Sequence, residues 1–180
     1  RLICYATAAN TVEVMSVELE TAASAGGFTL GTEQATTSGN AITFGSIPSG
    51  TTQIILSLDQ VGTNGSGELA VILGDSGGLE TSGYTGATTY HDDNTANATQ
   101  TADFILTTTT AAADGMSGCL ILTLEDSTNN VWAALGHIGR VSSVPTALTC
   151  GTKALSGELT QISLTTANTF DAGAANITYQ

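Results

Sequence analysis

LSGELTQISLTTANTFDAGAANITYQ, residues 155–180, decides the fold. Leu159, Ile162 and Leu164 precede a polar segment that holds Asn168, Asp171 and Gly173, and Ile177 and Tyr179 then alternate with polar neighbours. Alternation with a period of two marks a half-buried strand, and Asn, Asp and Gly are turn formers. The stretch predicts two strands joined as a hairpin that closes a sheet.

The same period recurs upstream. Ile54, Leu56 and Leu58 form one set, Leu69, Val71 and Leu73 a second, Leu120, Leu122 and Leu124 a third, and Val131, Ala133 and Leu135 a fourth. Turn signals separate them: Thr63-Asn64-Gly65-Ser66-Gly67, Asp75-Ser76-Gly77-Gly78 and Glu125-Asp126-Ser127-Thr128-Asn129-Asn130. Short polar turns imply antiparallel neighbours, because a parallel crossover needs a dozen or more residues. Threonine is the commonest residue and strong helix formers are scarce. Its β-branched side chain loses freedom in a helix and packs well on a pleated surface. The expectation is an all-β fold, an antiparallel β-sandwich, jelly-roll-like, of about eight to ten strands.

A chain of 180 residues has room for one full-sized core. Residues 28–180 are assigned to the sandwich and residues 1–27 to an N-terminal arm or linker. Within the arm Leu2-Ile3-Cys4-Tyr5 reads as a strand. Val12 and Val14 followed by Val17 and Leu19 alternate with a one-residue slip at Met15-Ser16, as a β-bulge would give. Val12, Ser16 and Leu19 also share a helical face, but strand is the preferred reading. Because it starts at Arg1, the chain reads as processed or as a piece of something longer.

Sixteen acids stand against Arg1, Arg140 and Lys153, a formal charge of −13. Binding a polyanion requires several cations to displace condensed counterions, so neither nucleic acid nor an anionic membrane is an expected partner. No apolar run reaches the ~18 residues of a membrane helix, and the N-terminus lacks a secretory pattern. Only 11% of residues are charged. The surface must therefore be largely Ser, Thr, Gly, Asn and Ala, a composition closer to that of interfaces than to a solitary exterior, and a homo-oligomer is expected.

Gly74-Asp75-Ser76-Gly77-Gly78 matches the pentapeptide around the nucleophile of trypsin-like serine proteases. Those chains place histidine and aspartate before the serine, whereas His91 and His137 both follow Ser76, and Leu79 stands where proline usually follows. The expected role is a strand end and a glycine turn, with a serine hydrolase using Ser76 as a remote alternative. His91-Asp92-Asp93 has no tight set of six to eight oxygens for calcium and is read as a solvated acidic loop. His137 has no ligand partner at metal spacing and is read as a strand-end histidine. Trp132 is assigned to core or interface packing in preference to a sugar platform, and Glu125-Asp126 would point to opposite faces of a strand. Cys119 is read as a buried small hydrophobe, and a bridge from Cys4 to Cys150 is the alternative to free thiols. Residues 84–102, without clear periodicity, are assigned to a long variable loop and hence to binding.

Four segments carry a resemblance. Phe44-Gly45-Ser46-Ile47-Pro48-Ser49-Gly50 comes first, then Ile72-Leu73-Gly74-Asp75-Ser76-Gly77-Gly78-Leu79-Glu80-Thr81-Ser82-Gly83-Tyr84, then Thr128-Asn129-Asn130-Val131-Trp132. The last is Thr169-Phe170-Asp171-Ala172-Gly173, continued by Asn176, Ile177 and Tyr179. In this order they resemble a C-terminal β-sandwich module of tailed-bacteriophage and prophage virion structural proteins, tail fibre-like, over roughly residues 28–180. The resemblance implies a non-enzymatic virion protein on the phage particle surface, a homotrimeric tail-fibre or appendage module for assembly and host adhesion. Its partners would be other phage virion proteins and a host-surface glycan or protein, without nucleic acid or membrane insertion. It brings no catalytic, cofactor-binding or metal residues. The alternative is a capsid decoration (cement) protein whose arm, residues 1–27, lashes neighbouring subunits.

Overall fold

A computed structural model describes residues 2–8, 11–17, 27–91, 96–110, 112, 114–141 and 146–180, with backbone alone for 2–8, 11–17 and 96. Strands are numbered along the chain. A nine-stranded antiparallel sheet contains, in spatial order, β10 (Ala96–Gln100), β9 (Tyr84–His91), β14 (Thr146–Ala154), β13 (Val131–Arg140), β12 (Met116–Asp126), β6 (Gln53–Thr63), β16 (Phe170–Tyr179) and β3 (Thr29–Leu30). The ninth strand, β4 (Gln34–Ala35), also pairs with β16. A five-stranded sheet orders β11 (Phe104–Thr107), β7 (Leu69–Asp75), β15 (Gln161–Thr166) and β5 (Ala41–Phe44), with β8 (Gly78–Leu79) on β7. The all-β sandwich expected from the sequence is what the chain forms. It holds more strands than the periodicity suggests, in part because β3, β4 and β8, at two residues each, are too short to leave a periodic trace.

Alternate side chains of each sheet meet in one core. Ile54, Leu56, Leu120 and Leu122 come from the nine-stranded sheet and Leu69, Val71, Leu73, Ile162 and Leu164 from the other, all fully buried. Removal of this apolar surface from water is the main favourable term in folding. Phe104 joins it with its ring edge-on to Tyr84, centroids 4.9 Å apart. Among the described residues no helix is long and apolar enough to cross a membrane.

Four local expectations change. The C-terminal strands are not a hairpin: β15 pairs with β5 and β7, whereas β16 pairs with β6, β3 and β4. Residues 167–169 carry the chain from one sheet to the other as an arch, so Ile162 and Ile177 line the core from opposite layers. Asp171 and Gly173 lie within β16, at its irregular pairing with β6. The phase of β13 is opposite to that expected: Trp132, Ala134 and Ile138 are buried, and Leu135 is 56% exposed. Both phases of this strand carry apolar residues, and the bulkier set goes inward. Residues 84–102 are largely the antiparallel pair β9 and β10, not a long loop. Their inward positions include Tyr84, Thr88 and Tyr90, and Thr88 hides the alternation from an apolar reading.

The arm contains β1 (Leu2–Ala8) and β2 (Thr11–Val17), paired antiparallel. Leu2 pairs with Val17 and Cys4 with Val14, so β2 carries one extra residue there, at Met15-Ser16. This is where the sequence slips. Residues 18–26 lie outside the described residues.

The β6–β16 junction depends on glycine. Gly173 has φ +87, and a Cβ there would lie 2.3 Å from the Gln60 carbonyl oxygen. Gly39 has φ +71 with nothing within 4 Å of a built Cβ. Gly39→Ala is expected to cost about 1 kcal/mol from backbone conformation alone, and Gly173→Ala about 3 kcal/mol or more. Equal urea midpoints for the two variants would refute the close-approach account of Gly173.

Candidate functional surfaces

Three of the four segments of the resemblance converge at one end of the sandwich, around residues 153–161. Asn130 C=O accepts the Leu155 N–H at 3.1 Å, and Thr160 C=O accepts the Ile47 N–H at 3.0 Å. Glu158 accepts the Ser49 hydroxyl at 2.9 Å and the Gly50 N–H at 2.7 Å. Those two bonds, the Gly50 N–H first, hold its carboxyl below the usual range. Asp75 accepts the Ser156 hydroxyl at 2.6 Å and the Gly77 N–H at 2.7 Å, and these lower its pKa. The fourth segment spans the sheet: residues 169–173 lie at the opposite end, where Phe170 pairs with Thr63, and the Tyr179 end of β16 comes near, the adjoining Gln180 carbonyl accepting the Thr52 N–H at 2.7 Å.

Lys153 is the buried cation of this end, 4% exposed. Its ammonium bonds Glu80 and lies 5.6 Å from the Tyr84 ring centroid. Burial pushes the Glu80 carboxyl up, but Lys153 and the Ser156 N–H outweigh it and the net shift is downward. Burial raises the Tyr84 phenol well above its usual value, and its oxygen accepts the Leu73 N–H at 2.8 Å. Charge and hydrogen bonding are thus spent on joining β14, β9 and β7.

A second polar joint lies within the core. The Ile105 carbonyl of β11 accepts the hydroxyls of Thr88 at 2.5 Å and Thr149 at 2.6 Å, and Gln100 Nε2 donates to Thr88 at 3.1 Å. All three side chains are at most 1% exposed. Gly86 and Gly151 make room for Gln100, since a Cβ on either would stand 2.5 Å from its Oε1.

Concave surfaces are shallow. An open groove of about 470 Å³ is bordered by Asp59, Asp114, Asp171 and Gln60. Asp114 is paired with Arg140 at 3.1 Å. No group of three His, Cys, Asp or Glu side chains is arranged to hold a metal ion among the described residues.

The outer face of the nine-stranded sheet is different in kind. Pairing across β6, β12, β13, β14 and β9 aligns Ile55, Ile121, Leu135, Cys150 and Ala87 in one transverse row and Ser57, Cys119, His137, Leu148 and Thr89 in the next. The flanking rows, through Thr123, Ala133 and Thr152 and through Ser117, Gly139 and Thr146, are likewise uncharged. Leu135 and Leu148 are 56% and 49% exposed. Asp59 and Glu125 stand only at the margin.

Ser76 occupies an exposed turn between β7 and β8, in the five-stranded sheet, as expected of a strand end followed by glycines; Gly78 has φ +122. His91 and His137 lie on the outer face of the other sheet, and no hydrogen bond links Ser76 to either among the described residues. His137 is mid-strand, not at a strand end. His91 ends β9, while Asp92 and Asp93 lie outside the described residues. Trp132 is in the core, 2% exposed, so its ring offers no sugar platform. Its indole N–H finds no hydrogen-bond partner among the described residues. Cys119 is half-buried on the outer face, not a core thiol, because Leu120 and Leu122 take the inward phase. Among the described residues Cys119 and Cys150 have no disulfide partner, and the Cys4 side chain lies outside them. Asp126 closes the 127–130 turn by accepting the Thr128 N–H and the Asn129 amide, both at 2.7 Å, and its carboxyl is lowered accordingly, Asn129 contributing most.

No protein-family model matches the chain, and neither a curated protein nor a solved structure matches it.

Two measurements check the electrostatics. Lys153→Met leaves Glu80 half-enclosed without its cation and is expected to destabilise by about 2–3 kcal/mol, and Lys153→Met/Glu80→Gln by less. A double variant no more stable than the single one would refute the pairing. Burial raises the Asp103 carboxyl, and burial with the Asp103 charge raises Glu68. A carboxyl raised in the folded state binds more protons there than in the unfolded chain, so its penalty is full at pH 7 and fades as pH falls to about 4. Asp103→Asn should therefore be the more stable protein at pH 7 by urea midpoint, with the gap closing towards pH 4. A gap that is constant across that window contradicts the assignment.

Proposed function

We propose that this chain is a structural component of a bacteriophage or prophage virion, a tail-fibre or appendage module that serves assembly and host-surface adhesion on the particle exterior. The observation that carries this reading is the convergence of three of the four resembling segments. Phe44 to Gly50, Ile72 to Tyr84 and Thr128 to Trp132 meet around Glu158, Lys153 and Ser156 and supply joints of the sandwich, while the C-terminal strand runs from that end to the other. A resemblance made of joints is one of framework, and framework is what an appendage module contributes.

The reading is non-enzymatic: Ser76 is in a surface turn away from both imidazoles, and the carboxylates at that end are engaged in hydrogen bonds. Adhesion in such a module comes from many weak contacts presented together, which a homotrimer supplies. A charge of −13 favours solubility at high local copy number. A capsid decoration protein is the second reading, favoured by the paired strands β1 and β2 ahead of the sandwich, which would serve as a lashing arm.

Purified particles provide the test. The chain is expected in their protein complement, and the isolated chain is expected to slow adsorption of those particles to host cells in proportion to its concentration. Presence at high copy number without effect on adsorption favours decoration, and absence from the particles refutes both.

A further inference from the structure

We propose that the uncharged outer face of the nine-stranded sheet is the surface on which a second copy of this chain packs. The inference names a surface and stands without the particle reading. Its first support is charge. Two copies at −13 repel, and most approaches would oppose carboxylates. Counting histidine as neutral, three of the four transverse rows across β6, β12, β13, β14 and β9 carry no charge; the fourth carries Asp59 at its β6 corner, and Glu125 falls on the rim. A charge-depleted centre inside a polar rim is the anatomy of a protein interface.

Size is the second support. Five strands and four rows at standard sheet spacings cover ~650 Å² per copy, or ~1,300 Å² for a pair, within the range of stable interfaces. Shape is the third. Small Ala133, Cys150, Thr89 and Thr146 border Leu135 and Leu148 beside the larger Ile121 and His137, and the two leucines project as the most exposed apolar residues of the face. Small neighbours let two sheets approach to the ~10 Å of face-to-face packing with the leucines interdigitated.

The test is sedimentation of the full chain across a concentration series, with Leu135→Asp, Leu148→Asp and a control, Leu79→Asp, on the other sheet where Leu79 is 40% exposed. Self-association of the wild type is expected, weakened about tenfold or more by either face variant and unchanged by the control. Circular dichroism and melting temperature should stay at wild-type values, because these side chains already face solvent. Maleimide labelling of Cys150 reads the same surface without mutation: it should be slow in concentrated protein and speed up on dilution. A wild type that stays monomeric throughout, association that survives both face variants or is lost only in Leu79→Asp, or Cys150 labelling indifferent to concentration would overturn the proposal. The particle experiment fails or succeeds separately, since association through this face is measured without any phage.

Discussion

Everything in this molecule follows from which side of the nine-stranded sheet faces its partner layer. Side chains alternate strictly across a strand, so inward placement of Leu120, Leu122, Ile54 and Leu56 commits Cys119, Ile121 and Ile55 to the opposite face. Pairing then transmits that choice sideways to β13, β14 and β9. One register sets both the core and the exterior. A slip by a single residue would place Leu135 and Leu148 against the five-stranded sheet and turn Trp132 to water.

Apolar side chains alone do not complete the joint between the sheets. At one end Lys153, Glu80 and Ser156 tie the layers, and deeper in the core the Ile105 carbonyl gathers two threonine hydroxyls. A buried carbonyl left unpaired costs about as much as a lost hydrogen bond, so Thr88 and Thr149 serve the core as leucines cannot. A chain rich in threonine thus closes a sandwich with comparatively few large hydrophobes.

This use of threonine also marks where sequence reading succeeded and where it stopped. Runs with leucine or isoleucine at every second position gave β6, β7 and β12 with the correct inward phase, and the Met15-Ser16 slip located an irregularity in β2. The β9–β10 pair leaves no apolar alternation because Gly86 and Thr88 interrupt the inward set between Tyr84 and Tyr90. The phase of β13 is not legible from its residues, because Val131, Ala133 and Leu135 look as apolar as Trp132, Ala134 and Ile138. An arch and a hairpin share one local pattern, two alternating strands about a polar turn, so pairing partners of β15 and β16 were not legible from residues 155–180. The Ser76 turn was legible, since glycines at a strand end announce it. The uncharged outer face was not, because it exists only once register has aligned five strands.

Side-chain oxidation by hydroxyl radicals, resolved by residue in dilute protein, tests the register most directly. The account predicts slow modification of Trp132, Leu120 and Leu122 and fast modification of Leu135 and Leu148. Rapid oxidation of Trp132 together with protection of Leu135 would contradict it.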